Sequence, residues 1–341
     1  MIAHLIDWSL KNRLFVLVGA ALLLLWGAYE TQRMPIDVLP DLTAPTVTVV
    51  TEAHGMAPGE VERLITFPIE TALNGAAGVR RVRSNSGVGQ AIVIVEFDWG
   101  TNIYQARQVV SEKLQLARNS LPNDIEVPVM APIASVMGEI LFIALKSEQH
   151  DSLTLKTTAD WVVRRRLLAI PGVAEVIPIG GDTKQYQVDV KPERLAAYQL
   201  TLSEVISAVR DSNTNVSAGF YTTSGQEYLI QGLGRIQHLS DIGEAVVAQR
   251  NGLPILVRDV ADIKIGAAIK RGTGSHNGQP AVILGVQKQP GVNTLELTQR
   301  LDTVLANIQS TLPQGMVLDA NIFRQADFIS VSIDNLLAAL R

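Results

Sequence analysis

The stretch TNIYQARQVVSEKLQLARNSLP, residues 101–122, decides the fold of this chain. Its apolar positions, Ile103, Ala106, Val110, Leu114, Ala117 and Leu121, step by three and four, the period of a helix with one face turned to a core. Pro122 ends it. Upstream, TVTVVTEA (46–53) is β-branched and strand-like, and a helix begins at APGEVERLITFPIETALNG (57–75). Pro58 suits its first position, Glu60 and Glu62 suit the positive end of its dipole, and Pro68 inside it predicts a kink. VRRVRSNSGVGQAIVIVEFDWG (79–100) supplies two strands joined by a Ser/Asn/Gly turn, and an extended piece near IEVPV follows the helix. Strand, helix, strand, strand, helix and strand make a βαββαβ unit, the ferredoxin-like arrangement.

The pattern recurs. EILFIALKSE (139–148), SLTLKTTADWVVRRRLLAI (152–170) and GVAEVIPIGGDTKQYQVDV (172–190) read as strand, helix and strand pair. PAVILGVQK, NTLELTQRLDTVLANIQSTLP and GMVLDAN supply a later strand, helix and strand, with Asn293 the expected cap and Glu296 three residues on. Gly78-Val79-x-x-Val82 is matched by Gly172-Val173-x-x-Val176, and Leu121-Pro122 by Leu312-Pro313. Matching punctuation at matching places points to an internal duplication. The second copy is split by an insertion at about 183–272, with a capping pair, Thr201 and Glu204, ahead of VISAVRDSN. The glycine-rich TNVSAGFYTTSGQEYLIQGLG (214–234) reads either as a surface loop or as an arm reaching a neighbouring subunit.

The chain has 341 residues, room for two or three domains, and is 47% hydrophobic but only 18% charged. Part of that excess is LFVLVGAALLLLWGAY (14–29), an uncharged run close to the length of a membrane span. It is longer than the core of a signal peptide, and no small-x-small cleavage site follows it. Lys11 and Arg13 precede it, whereas Glu30, Arg33, Asp37 and Asp41 follow, which places the N-terminus in the cytoplasm and the bulk outside. At the far end, from Phe328 onward, Ile329, Ile333, Leu336, Leu337 and Leu340 mark a second apolar helix, either a short terminal one or the start of another span.

The chemistry is sparse. The net charge of −4 and the lack of a basic patch argue against nucleic acid. There are no cysteines, hence no disulfide or thiolate metal site within the chain. No nucleophile–base set stands out, and the glycine turns lack the Lys-Ser/Thr ending of a phosphate loop. His54 and Met56 lie two apart, a spacing that could hold a soft cation but that reads better as incidental. Met130, Met137, His150, His238 and His276 have no partner at ligand spacing. Arg164-Arg165-Arg166 reads as a solvated face with one or two salt bridges. No catalytic, cofactor-binding or metal residue is assigned, and neither enzyme activity nor a cofactor is expected.

In order, a basic start, a membrane helix, MPIDVLPDL (34–42), TEAHGMAPGEVERLITFPIETALNG (51–75), GVGQAIVIVEFDWGTNIYQARQVVSEKL (87–114) and LPNDIEVP (121–128) resemble the resistance-nodulation-division efflux pumps. The Pro-Ile-Asp-x-x-Pro-Asp exit from Pro35 to Asp41, with Gly100-Thr101-Asn102 and Ala106-Arg107, is similar to the heavy-metal branch. The resemblance implies an α+β membrane protein. Its parts would be a start and first membrane helix (1–33), a first ferredoxin-like porter subdomain (34–134), a second (135–182 and 273–327), an inserted docking subdomain (183–272) with an intersubunit arm at about 211–228, and the start of a truncated second membrane helix (328–341). It implies the first third of a proton-driven antiporter of heavy-metal cations in a Gram-negative inner membrane, its bulk periplasmic. The implied partners are two further copies in a homotrimer, a periplasmic adaptor, an outer-membrane channel and the lipid bilayer. The helix 102–120 would line the central pore. Copper- and silver-exporting relatives carry a methionine in the stretch matching IGAAIKRG; Ile269 stands there, which disfavours copper(I) and leaves zinc, cobalt, cadmium and nickel. The nearer rival is an exporter of amphiphilic drugs on the same fold. The rival of another class is a single-span periplasmic adaptor or binding protein, though the long heptad hairpin expected of an adaptor is not visible.

Overall fold

The computed structural model describes residues 8, 10–33, 44–123, 125–134, 138–250, 252–270 and 272–339. The proline-rich exit with Asp37 and Asp41, and Met137, lie outside the described residues. Helix α1 (Arg13–Arg33) holds an 18-residue window, Arg13–Glu30, long and apolar enough to cross a membrane, and none of that window is buried by protein. Near its far end the Trp26 indole donates to Glu30 at 3.2 Å.

Beyond it, the first repeat begins with β1 (Thr46–Glu52), whose alternate residues Val47, Val49 and Thr51 point inward. Helix α2 runs through Pro58–Val61, a π-helical turn at Glu62–Thr66, and Phe67–Leu73. Strands β2 (Val79–Gly87) and β3 (Gln90–Phe97), helix α3 (Ile103–Ala117) and the two-residue β4 (Val129–Met130) complete it. The sheet is antiparallel in the order β2-β3-β1-β4. Asn102 caps α3 by accepting from the Tyr104 amide at 2.8 Å.

The second repeat uses β5 (Glu139–Ser147) and helix α4, built of Ser152–Thr158, a π-helical turn at Ala159–Val163, and Arg164–Leu168. Strand β6 (Val173–Ile179) follows, and the inserted segment then intervenes. Its elements are β7 (Lys184–Val190), α5 (Pro192–Tyr198), α6 (Leu202–Ser212), β8 (Val216–Thr223), β9 (Gln226–Gly232), α7 (Leu239–Gly243), β10 (Val246–Arg250), β11 (Leu253–Leu256), α8 (Val257–Val260), β12 (Ala261–Ala267), β13 (Ser275–His276) and β14 (Gln279–Pro280). The repeat resumes with β15 (Val282–Lys288), α9 (Thr294–Thr311) and β16 (Met316–Arg324), and α10 (Gln325–Ala339) ends the chain's described part. The second sheet runs β16-β5-β15-β6, again antiparallel. Numbered within its own repeat, each sheet has the order 4-1-3-2.

The duplication extends to a detail the proline alone did not predict. Val61, Ile65, Ile69 and Leu73 on α2 are fully buried at a strict spacing of four, and so are Leu155, Ala159, Val163 and Leu167 on α4 at 3% exposure or less. In a regular α-helix a four-residue step overshoots a full turn by about 40°, so such a stripe drifts off its face. A π turn holds more residues per turn and brings it back. In α2 the same wide turn, with the Phe67 amide bonded to the Glu62 carbonyl, precedes Pro68, whose missing N–H and bulky ring would disrupt a tighter helix. Helix α4 contains no proline and makes the same turn, so the stripe, not the proline, is the common cause.

The chain divides into two compact units: Met1–Gln149 with Ala159–Ile179 and Val282–Arg341, and His150–Thr158 with Gly180–Ala281. In the first, Val93, Val95 and Phe97 of β3 join Val47 and Val49 beneath the α2 stripe and Ala106 and Val110 of α3. In the second, Leu200, Val205, Ile255 and Val260 form a small core.

Candidate functional site

The residues singled out for cation binding do not converge. His54 sits on the surface, 3.3 Å from Glu52 on the neighbouring strand end, while Met56 packs against the first core. Met130 packs against that same core from β4. The His238 amide donates to Asp241 at the start of α7, a capping role. His276 meets Asn277 in a β-turn, and His150 lies at the approach to α4. Among the described residues no group of three or more His, Cys, Asp or Glu side chains is placed to hold a metal ion.

The perturbed carboxylates are each satisfied from within the chain. Glu96, 9% exposed on β3, accepts from Arg81 at 2.6 and 3.1 Å, with Arg80 and Arg83 each at 3.7 Å. The Arg81 hydrogen bonds hold its carboxyl below the usual carboxylate range, outweighing the desolvation that pushes it up. Glu204 closes the capping box on α6, accepting from the Thr201 amide at 2.7 Å and hydroxyl at 2.9 Å, and is lowered chiefly by that backbone bond. It borders an open groove of about 500 Å³ with Ser203, Ser207, Asp211, Val246 and Val247. That carboxylate is already engaged by the helix start.

Asp182 accepts from the Ser152 hydroxyl and lies 3.1 Å from Lys270. Ser152 first and Lys270 second hold its carboxyl low. A folded pKa below the unfolded value near 3.9 gives stability that is fully present above about pH 5 and is lost as pH falls through the lowered value. The thermal midpoint of wild type minus that of Asp182→Asn is therefore expected to be flat from pH 8 to 5 and to shrink below pH 4. A difference that grows on acidification would contradict this assignment.

The three arginines of α4 separate. Arg164 donates to the Val176 carbonyl at 2.8 Å, Arg165 stacks over the Trp161 ring at 4.3 Å, and Arg166 donates to the Thr311 hydroxyl at 2.8 Å. Among the described residues the three meet a carbonyl, an indole and a hydroxyl, because successive helical positions face three different neighbours.

The glycine-rich stretch is a β-hairpin, not an irregular loop. Tyr221 pairs with Tyr228 and Phe220 with Leu229, and Ser224-Gly225 forms a two-residue turn with φ of 52° and 75°. Serine-glycine between two strands with both φ positive is the type I′ signal, legible in the sequence and missed there. Asn215 anchors the base by accepting from the amides of Gly234 and Arg235, and Asn213 by accepting from Ile236, each at 3.1 Å. Val216, Phe220, Tyr221, Tyr228, Leu229 and Ile230 are all exposed on this two-stranded element. An isolated hairpin with that much apolar surface is marginal in water and gains stability from a covering surface. Ile269, between β12 and β13, is 92% exposed.

A membrane-length helix, two sheets of identical strand order and a long insertion within the second define a duplicated, membrane-anchored chain without an enzyme-type site among its described residues. The profile of the AcrB/AcrD/AcrF family matches residues 5–340, and the chain belongs to that family of resistance-nodulation-division transporters. It is 36% identical to "Cation efflux system protein CusA" of Escherichia coli K12 over 100% of this chain and 33% of that protein. It is 35% identical to "Protein HelA" of Legionella pneumophila over 98% and 32%. It is also 35% identical to "Cobalt-zinc-cadmium resistance protein CzcA" of Cupriavidus metallidurans over 93% and 30%. A crystal structure of a heavy metal efflux pump superposes with a TM-score of 0.86 at 25% identity, covering 97% of this chain and 33% of that one. The chain thus spans about a third of the length of the relatives it matches.

Proposed function

We propose that this chain is the N-terminal part of a proton-driven, heavy-metal cation exporter of the Gram-negative inner membrane. The observation that carries this reading is the likeness of nearly the whole chain, helix and both sheets together, to a heavy metal efflux pump. Helix α1 anchors the chain, and its bulk lies in the periplasm. The two 4-1-3-2 sheets with their helices are ferredoxin-like porter subdomains at 34–134 and at 135–182 with 273–327. The insertion 183–272 is a docking subdomain, and 328–341 begins a second membrane helix. The β8–β9 hairpin, within and just beyond the arm placed at 211–228, supplies the unsatisfied apolar surface that a trimer would cover.

In such a trimer the porter subdomains alternate between open and closed arrangements, with proton flow through segments outside this chain biasing the states. Cations pass toward an outer-membrane channel with the help of a periplasmic adaptor. Among the described residues the perturbed carboxylates Glu96, Asp182 and Glu204 are engaged by the chain's own donors. The exposed isoleucine at 269 favours divalent zinc, cobalt, cadmium or nickel over copper(I).

The test is a deletion strain complemented with the full-length gene and challenged with each of those ions and with amphiphilic drugs. Deletion is expected to sensitise the strain to one or more of the divalent ions, and complementation to reverse it. Sensitivity to drugs alone would sink the metal reading and favour an amphiphile exporter on the same fold.

A further inference from the structure

Three arginines of β2 gather on Glu96 of β3, in a cluster that the porter role leaves unused. In a regular strand consecutive side chains point to opposite faces. Strand β2 departs from this at its start: Val79 pairs with Phe97 and Arg81 with Glu96, so Arg80 is one residue too many for the ladder. Such a bulge re-aims a side chain. Arg80 and Arg81, neighbours in sequence, therefore both reach one carboxylate, Arg81 at 2.6 Å from Oε2 and Arg80 at 3.7 Å from Oε1. Arg83, two residues past Arg81, stands 3.7 Å from Oε2. The Glu96 side chain is 12% exposed, whereas those of Arg80, Arg81 and Arg83 are 52, 55 and 59% exposed. Among the described residues Arg80 and Arg83 make no hydrogen bond, and the three guanidiniums are the charges that act on the Glu96 carboxyl. Three cations on one anion leave a surplus of two positive charges. Glu96 also pairs with Thr46, the first residue of β1, so the cluster lies at the end of the sheet where the chain arrives from α1.

We propose that Arg80, Arg81 and Arg83, gathered on Glu96, form a binding site for a phosphate-type oxyanion. Arg81 commits its fork to Glu96 at 2.6 and 3.1 Å, which fixes that guanidinium and the centre of the cluster. Arg80 and Arg83 stand beyond hydrogen-bond distance of Glu96, so their donors remain free for a ligand. One lies nearest Oε1 and the other nearest Oε2, so the two forks approach from either side of the carboxylate. Donors converging from two sides suit a tetrahedral oxyanion, whose acceptor oxygens point in several directions, better than a planar carboxylate. Attraction to Glu96 already gathers the side chains, which lowers the ordering cost of binding. The Glu96 charge opposes an anion, but Arg81 offsets it and two cations remain. Free phosphate and the phosphate of a lipid headgroup share this chemistry. The inference is independent of which ion the pump exports.

The experiment is phosphorus NMR of inorganic phosphate titrated onto the full-length protein, purified in a phosphate-free detergent at low ionic strength. Binding to so large a particle broadens the phosphate line, with half-saturation expected in the millimolar range. Arg80→Gln and Arg83→Gln are each expected to weaken binding about fivefold, and the double variant to remove it. Their melting curves without phosphate should match wild type, since neither side chain hydrogen-bonds the fold. Sodium chloride should weaken binding by screening. Sulfate, also tetrahedral, should compete, and acetate at the same concentration should not. The titration repeated in phospholipid nanodiscs separates the two sources. Phosphate binding that is lost there shows headgroups filling the site, and binding that persists shows free phosphate as the ligand; either result supports the site. Absence of broadening with wild type, undiminished broadening with the double variant, or acetate competing as well as sulfate would each overturn it, while the metal-sensitivity test of the pump reading would stand.

Discussion

Gly180→Ala is expected to lower the stability of the inserted unit by about 3 kcal/mol, a drop in its thermal midpoint of roughly 10–15 °C. Gly180 follows β6 with φ of 81°, a region that L side chains rarely adopt. A Cβ there would stand 2.3 Å from the Gly274 amide nitrogen, 2.7 Å from its Cα and 3.0 Å from the Ala281 carbonyl oxygen. All three atoms are backbone, so no rotamer change relieves the clash. These are the segments by which the chain enters and leaves the insertion, and the Ala281 amide bonds to the Gly274 carbonyl at 3.0 Å. Displacing Gly274 therefore disturbs that bond too. Gly55→Ala is the control: φ is 86° but nothing lies within 4 Å of the added carbon. It should cost about 1 kcal/mol from backbone strain alone. Circular-dichroism melting of both variants in detergent decides the point, and equal losses would show that close approach contributes nothing at Gly180.

Arg324→Met is expected to cost about 2 kcal/mol and to loosen α10 from the second sheet. Strand β16 ends at Arg324 and α10 starts at Gln325, with no linker between. The guanidinium forks onto both oxygens of Asp302 on α9 at 2.9 and 2.8 Å, and its Nε lies 3.4 Å from Asp327 in the first turn of α10. Its side chain is only 18% exposed, and the Asp302 bonds raise its pKa against the burial that lowers it. Phe323 sits between Phe142 of β5 and Phe328 of α10, with ring centroids 5.5 and 6.0 Å away. Asp302 is half-exposed, so water softens the loss of its partner and keeps the figure near the lower end of the buried range. A double-mutant cycle with Asp302→Asn measures the pair itself, and Arg324→Lys should fall between, because an ammonium cannot span both oxygens. Lysine behaving as wild type would show that charge alone, not the fork, holds the joint.

Much of the architecture was written in local pattern. The three-and-four stepping of α3, the β-branched alternation of β1 and the paired Gly-Val and Leu-Pro marks foretold two copies of one unit, because periodicity and backbone punctuation are properties of neighbouring residues. The caps at Thr201 and Asn293 were legible for the same reason, each oxygen bonding an amide two or three residues away, while the like cap at Asn102 emerged only with the structure. The four-spaced stripes of α2 and α4 were equally present in the sequence, and so was the Ser224-Gly225 turn. Neither is decisive in sequence, because a spacing of four also fits a drifting α-helical face and a polar glycine-rich segment also fits a loop.

Tertiary structure alone decided matters that depend on distant partners. His54 and Met56, two residues apart, were separated by the turn between them, one to solvent and one to the core. Glu96 met three arginines that lie 13 to 16 positions before it, and only the pairing of β2 with β3 brings them together. Arg164, Arg165 and Arg166 meet β6, Trp161 and α9, since a helix sends consecutive side chains in different directions and the sequence does not say what waits there. By itself the sequence determined the repeat, the membrane-length helix and the family likeness, all carried by short-range order. Which charges are engaged, which glycine admits no side chain and which apolar faces remain uncovered were set by contacts across the fold, where separation along the chain gives no guide to distance in space.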